Sequence, residues 1–141
     1  MQQIEITTED GRCPAYEFMP GTPTPWPAVL VYMDGVGIRP TLWAHCERIA
    51  AAGYYVLLPD LFYRGGPYEP QDPAKFADPA VMRAWFGRHF PTTTATNIMR
   101  DTRAFLAHIA GRPDVRPGKI GAVGYCMGGR LATTAAGTYP D

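Results

Sequence analysis

The sequence predicts one α/β domain built on a mostly parallel sheet with flanking helices, and three observations carry that prediction. Two continuous apolar runs, Ala28 to Met33 and Tyr54 to Leu58, enclose a helical stretch, which is the pattern of a strand-helix-strand unit with parallel strands and a right-handed crossover. A third apolar run, Lys119 to Tyr125, follows a second amphipathic helix. The chain has 141 residues, 46% hydrophobic and 18% charged, enough for a single core and too apolar for disorder.

The elements follow in order. Gln3 to Thr7 and Ala15 to Met19 read as two short strands joined by a turn at Glu9-Asp10-Gly11. Pro20 to Pro27 holds four prolines and is a connecting loop. The strand at Ala28 to Met33 runs into the polar loop Asp34 to Pro40. Thr41 then reads as the N-cap of a helix with Leu42, Cys46 and Ile49 on its inner stripe, closed by Gly53. After the strand at Tyr54 to Leu58, residues 60–95 are irregular, with a short helix over Val81 to Phe86; a connection this long is usually functional. A helix from Thr96 to Ala110 buries Ile98, Thr102, Phe105 and Ile109, and the alanine-rich stretch Met127 to Gly137 is a tightly packed final helix. The third buried strand is apolar throughout, yet only one helix follows it. Either strand order covers it or the domain (residues 1–141) continues past Asp141, and the second is the expectation.

Composition excludes several function classes. Thirteen basic residues balance 13 acidic ones, so no basic face is predicted for nucleic acid. The apolar runs are far too short to span a bilayer, and MQQIEITTED carries no hydrophobic leader segment. Cys13, Cys46 and Cys126 are an odd number without a Cys-x-x-Cys. His45, His89 and His108 stand at no zinc-site spacing to them, so neither a disulfide framework nor a metal site is predicted, and the expected compartment is the cytoplasm.

The informative segment is Gly124-Tyr125-Cys126-Met127-Gly128-Gly129, between a strand and a helix. This is the G-x-S-x-G setting of a nucleophile elbow, with cysteine in place of serine. The turn is sharp, so the residues two before and two after the nucleophile pass close together, and a Cβ at Gly124 or Gly128 would collide; Gly129 would let the helix pack closely. A helix N-terminus favours an anion at Cys126, and the Met127 N–H can hold a developing oxyanion. The alternative is an inert cysteine in a glycine-rich turn. A nucleotide-binding turn fits poorly, because the glycines miss G-x-G-x-x-G spacing and no P-loop lysine is present.

The segments Gly124 to Gly129, Lys119 to Val123 and Leu58 to Pro67 (LPDLFYRGGP) together resemble the dienelactone hydrolase (carboxymethylenebutenolidase) family. The resemblance spans nearly the whole chain and the N-terminal half to two-thirds of the family's domain. It implies an α/β-hydrolase fold and a Cys-Asp-His triad that hydrolyses a small ester or lactone without a cofactor. Cys126 matches the nucleophile, whereas the triad Asp and His would follow residue 141, so this stretch alone is expected to turn over little or no substrate. Asp34 stands where dienelactone hydrolase itself has a glutamate near the nucleophile, making it an auxiliary acid or a loop acid that fixes its own turn. Gly35 matches the second oxyanion donor. No arginine follows Glu69-Pro70-Gln71-Asp72, where the enzyme that opens dienelactone has one. Arg64, Lys75 and Arg83 would serve a substrate carboxylate instead, or are ordinary surface cations. Trp85, Phe86, Tyr63 and Tyr68 would line an apolar pocket over Cys126. The three histidines read as structural or solvated, and Asp60 as a turn cap. Two rivals remain: a non-enzymatic, redox-active thiol module, and a structural fragment whose sheet edge pairs with another chain.

Overall fold

The turn at Glu9-Asp10, followed by Gly11 at φ +139°, folds the N-terminus back on itself in the computed structural model, which describes residues 1–140. Strands β1 (Gln2–Thr8) and β2 (Gly11–Phe18) form an antiparallel hairpin in register from Gln2 opposite Glu17 to Thr8 opposite Gly11. The proline-rich stretch connects this hairpin to β3 (Ala28–Tyr32), followed by α1 (Pro40–Ala51) and β4 (Tyr55–Pro59). Then come two short 3-10 turns (Tyr63–Gly65 and Pro73–Ala77), α2 (Pro79–His89), α3 (Ala95–Ala110), β5 (Gly121–Gly124) and α4 (Met127–Thr138).

The five strands lie in the order β1-β2-β4-β3-β5. β3 pairs in parallel with both β4 and β5, as the helical crossovers require, while β2 joins β4 antiparallel. The sheet is therefore mixed, its parallel part being the three apolar strands. The crossover from β3 to β4 runs one way across the sheet and that from β4 to β5 runs the other. Right-handed connections in opposite directions put α1 and α3 on opposite faces. Every residue of β3 and β4 is buried, which needs cover on both faces. α3 and α4 pack against each other, with Leu131 and Ala135 of α4 and Ile98, Phe105 and Ile109 of α3 buried.

Several boundaries differ from expectation for local reasons. Pro40 opens α1, where its missing N–H costs nothing, so Arg39 rather than Thr41 is the flanking residue. Gly53 closes α1 at φ +98°, as its position suggests. Thr94 caps α3 by accepting the Asn97 N–H, so the helix begins at Ala95, one residue before the expected Thr96. β5 is only four residues long and lies at the end of the sheet, with Gly121 and Ala122 exposed; strand order does not cover it. Among the described residues, no helix is long and apolar enough to cross a membrane.

Periodicity does not reveal that Glu17 is a buried carboxylate. Glu17 shares a face of β2 with Cys13 and Ala15 and is 2% exposed. Its Oε1 accepts bonds from Tyr55 Oη at 2.7 Å and Arg112 Nη1 at 2.8 Å, and lies 2.8 Å from His108 Nε2. Burial alone would raise this carboxyl, but the bonds from His108 and Tyr55 and the charge of Arg112 outweigh it and hold it below its usual range. His108, expected to be solvated, is thus a partner of a buried acid.

Candidate active site

Cys126 follows the C-terminal end of β5 and immediately precedes α4. It is the one non-glycine residue with positive φ among those described, at φ +52° and ψ −116°. A side chain tolerates that conformation only when its surroundings impose it. The imposing contacts are backbone: Tyr125 N–H donates to Tyr32 O, Gly128 N–H to Tyr125 O at 2.8 Å, and Gly129 N–H to Cys126 O at 3.0 Å. A Cβ on Gly124 would fall into the Gly128 carbonyl, and one on Gly128 into the carbonyls of Tyr32 and Met33. Gly129 is different, since a Cβ there would meet nothing nearer than Gly124 O at 3.6 Å. Its absence of a side chain is not what lets the helix approach.

The three thiols separate cleanly. Cys126 is exposed, while Cys13 and Cys46 are buried. Burial, reinforced by the charges of Asp60 and Asp101, pushes the Cys13 thiol far up, and burial pushes Cys46 to about 12. Among the described residues no side chain hydrogen-bonds Cys126 Sγ. Met127 is the first residue of α4, so its N–H has no intrahelical acceptor and is free for a ligand at the turn.

The second loop arrives from the neighbouring strand. Tyr32 of β3 pairs with Gly124 of β5, so Asp34 and Gly35 leave the same end of the sheet as Cys126. Asp34 is held within its own loop: Oδ1 accepts the Val36 N–H at 3.0 Å, and the two oxygens take Arg39 Nη1 and Nη2 at 2.7 and 2.8 Å. Gly35 O accepts from Trp85 Nε1 at 2.9 Å, with the rings of Phe86 and Phe90 packed on its Cα.

The cations and aromatics of the long connection divide between internal contacts and the surface. Arg64, read as a partner for a substrate carboxylate or as a surface cation, has all three nitrogens paired internally: Nη1 and Nη2 grip fully buried Asp101 at 2.7 Å, and Nε reaches Asp10 at 2.8 Å. It ties the β1–β2 turn to α3. Lys75 and Arg83 are exposed, on the second 3-10 turn and on α2. Trp85, expected in a pocket wall, is 8% exposed and packs edge-on against Phe62, Tyr68 and Phe76. Tyr68 Oη accepts the Ile38 N–H at 3.0 Å and donates to Asp60 Oδ1 at 2.9 Å. Asp60 also accepts the Phe62 N–H, the turn cap expected of it; burial raises its carboxyl despite these bonds.

His89 is the surprise of this segment. Its position before Phe90-Pro91 suggested a loop residue, but α2 extends to include it and buries it completely. The ring stacks on Phe62 at 4.6 Å, lies 4.3 Å from Trp85, and neither ring nitrogen has a hydrogen-bond partner. His45 rests on Tyr125, with ring centroids 4.9 Å apart. Neither histidine bonds Cys126. Among the described residues, no group of three or more His, Cys, Asp or Glu gathers to hold a metal ion.

Comparison with known proteins bears on family and fold. The pattern of the "Dienelactone hydrolase family" matches residues 13–141. A carboxymethylenebutenolidase of Pseudomonas sp. strain P51 is 32% identical over 113 residues, covering 78% of this chain and 44% of its own. Carboxymethylenebutenolidase 1 of Cupriavidus pinatubonensis is 30% identical over 134 residues, covering 94% of this chain and 55% of its own. The chain spans about half the length of the curated relatives it matches. A crystal structure of a Klebsiella pneumoniae protein assigned to the dienelactone hydrolases superposes with a TM-score of 0.80 at 24% identity, covering 99% of this chain and 55% of that one, a likeness of fold. An α/β-hydrolase sheet order, a strained cysteine between β5 and α4, and a family match over residues 13–141 establish that this chain belongs to the dienelactone hydrolase family.

Proposed function

We propose that Cys126 is the nucleophile of an ester or lactone hydrolase of the dienelactone hydrolase type. The sulfur attacks the carbonyl carbon of a small ester or lactone, and the carbonyl oxygen becomes an oxyanion between the N–H groups of Met127 and Gly35. The thiol gives up its proton to solvent. Collapse of the intermediate breaks the acyl C–O bond and releases an alkoxide that takes up a proton (tethered to the acyl group in a lactone). This leaves a thioester on Cys126, whose hydrolysis calls for a base that the described residues do not supply. The observation that carries this reading is the exposed thiol at φ +52° on the strand-to-helix turn, beside a loop from the adjacent strand.

The described residues place no base on Cys126, so the reading assigns them acyl capture rather than turnover. Asp34 acts on the electrophile side only by shaping its loop, because its oxygens are taken by Val36 and Arg39. Lys75 and Arg83 are the cations of the long connection left for a substrate carboxylate. A thiol without a base contact also fits a redox-active module, which would form a sulfenic acid with peroxide instead of a thioester with an ester.

Mixing the chain with p-nitrophenyl acetate tests the reading. One equivalent of nitrophenolate is expected, faster than with free cysteine, together with an acetyl group on Cys126 by mass spectrometry and no second equivalent. Cys126→Ala should abolish the burst. A burst that survives this substitution, or a rate no higher than that of free cysteine, would refute acyl capture.

A further inference from the structure

We infer that Trp85 is a positioning residue that fixes the oxyanion corner, with Tyr68 as its second anchor. The inference rests on the reading of Gly35 as an oxyanion donor. Glycine suits that place because its backbone can come close to a substrate oxygen, but it is also the residue whose backbone is least restrained. An N–H that swings through several orientations is a poor donor for a charge that develops in one place.

The loop removes that freedom on both sides. On the N-terminal side, the Asp34 carboxylate is clamped by the Val36 N–H and by both Nη atoms of Arg39. On the C-terminal side, the Gly35 carbonyl is held by Trp85 Nε1 at 2.9 Å in a buried bond. Further along, the Ile38 N–H is held by Tyr68 Oη, which is itself bonded to Asp60 at the end of β4. Trp85 cannot drift, since Phe62, Tyr68, Phe76 and His89 surround its ring at 4.3 to 5.9 Å. With 8% exposure it offers substrate almost no surface. Its polar atom is spent on the loop, and that is the role its geometry fits.

The test compares two reactions of the same sulfur. Acetylation by p-nitrophenyl acetate passes through an oxyanion, whereas alkylation by iodoacetamide is a direct displacement at carbon and does not. Trp85→Phe in the full 141-residue chain should slow acetylation about tenfold, part of the roughly 10²–10³ that outright loss of an oxyanion donor costs. Alkylation should stay within about twofold of the parent chain. Replacing Trp85 by β-(3-benzothienyl)alanine, which keeps the ring shape and lacks the N–H, should reproduce the selective loss even if phenylalanine perturbs packing. Tyr68→Phe should give a smaller loss of the same kind. Equal slowing of both reactions, or no slowing of acetylation with the benzothienyl isostere, overturns the positioning role. Parent-chain acetylation no faster than that of free cysteine would instead sink the acyl-capture reading, and the positioning role with it.

Discussion

At Gly128 a single methyl group separates a folded turn from an impossible one. Its Cβ would enter the carbonyls of Tyr32 and Met33, which are backbone atoms of a buried strand and cannot yield without moving the sheet. Gly128→Ala should therefore cost about 3 kcal/mol or more, by strain at a fixed backbone. Gly129→Ala has room and replaces a helical glycine, so it should be neutral or stabilising by up to about 1 kcal/mol. Thermal or urea melts of the two variants check the contrast, and comparable destabilisation in both would refute it. The purposes of Gly124 and Gly128 were legible from the motif, because the collision is local to a six-residue turn. Gly129 was not, because the clearance above it depends on how α4 tilts over the sheet. Asp34 and Arg64 were legible as charged residues of the loops after β3 and β4, but their pairing with Arg39 and with Asp101 of α3 is set by the paths of those loops, which carry no periodic signal.

Among the elements, α2 shows how far tertiary packing can carry a helix past its sequence signal. Only Val81 to Phe86 reads as helical, since Pro79 and Pro91 bracket a stretch without a clean apolar stripe. The helix runs on to His89 because the aromatic cluster of Phe62, Tyr68 and Trp85 receives the imidazole. The fit is close: a Cβ on Gly65 would lie 2.5 Å from His89 Nδ1. Burial, aided by the charge of neighbouring Arg88, lowers the basicity of this ring below its ordinary value near 6.5. Below about pH 6.5 the unfolded chain takes up a proton that the folded one refuses, so stability falls as pH falls. The contribution is fully present above that pH and is lost as acidity approaches the lowered folded value. The melting temperature should drop more steeply between pH 7.5 and 5 in the parent than in His89→Phe. Parallel pH profiles for the two proteins would show that the ring is not held neutral.

For the whole molecule, the order β1-β2-β4-β3-β5 leaves one parallel strand at the rim. Three parallel strands, two crossovers and the antiparallel hairpin were legible, because each rests on a continuous apolar run or a strong turn signal, although only β3 and β4 of the three are buried. Which flank stays open was not, since apolar Gly121–Gly124 looks the same whether central or outermost. The strand offers an unpaired row of backbone groups and no charge to discourage pairing. The 141-residue stretch in isolation should therefore self-associate with rising concentration, and Ala122→Lys, at an exposed edge position, should suppress it. Sedimentation velocity reads the outcome, and a single monomer boundary at all concentrations would count against an adhesive edge.

The rim position of β5 bears on chemistry as well as on solubility. The exposed sulfur at the tip of β5 leaves the sheet at the same end as the Gly35 loop of the adjacent strand. On the proposed reading of Cys126, the groups assigned to the acyl oxygen, the Met127 and Gly35 N–H, lie in the turn and in the loop of the adjacent strand, and neither of them is the proton acceptor. On that reading, a change of proton acceptor would leave the two proposed oxyanion donors where they are.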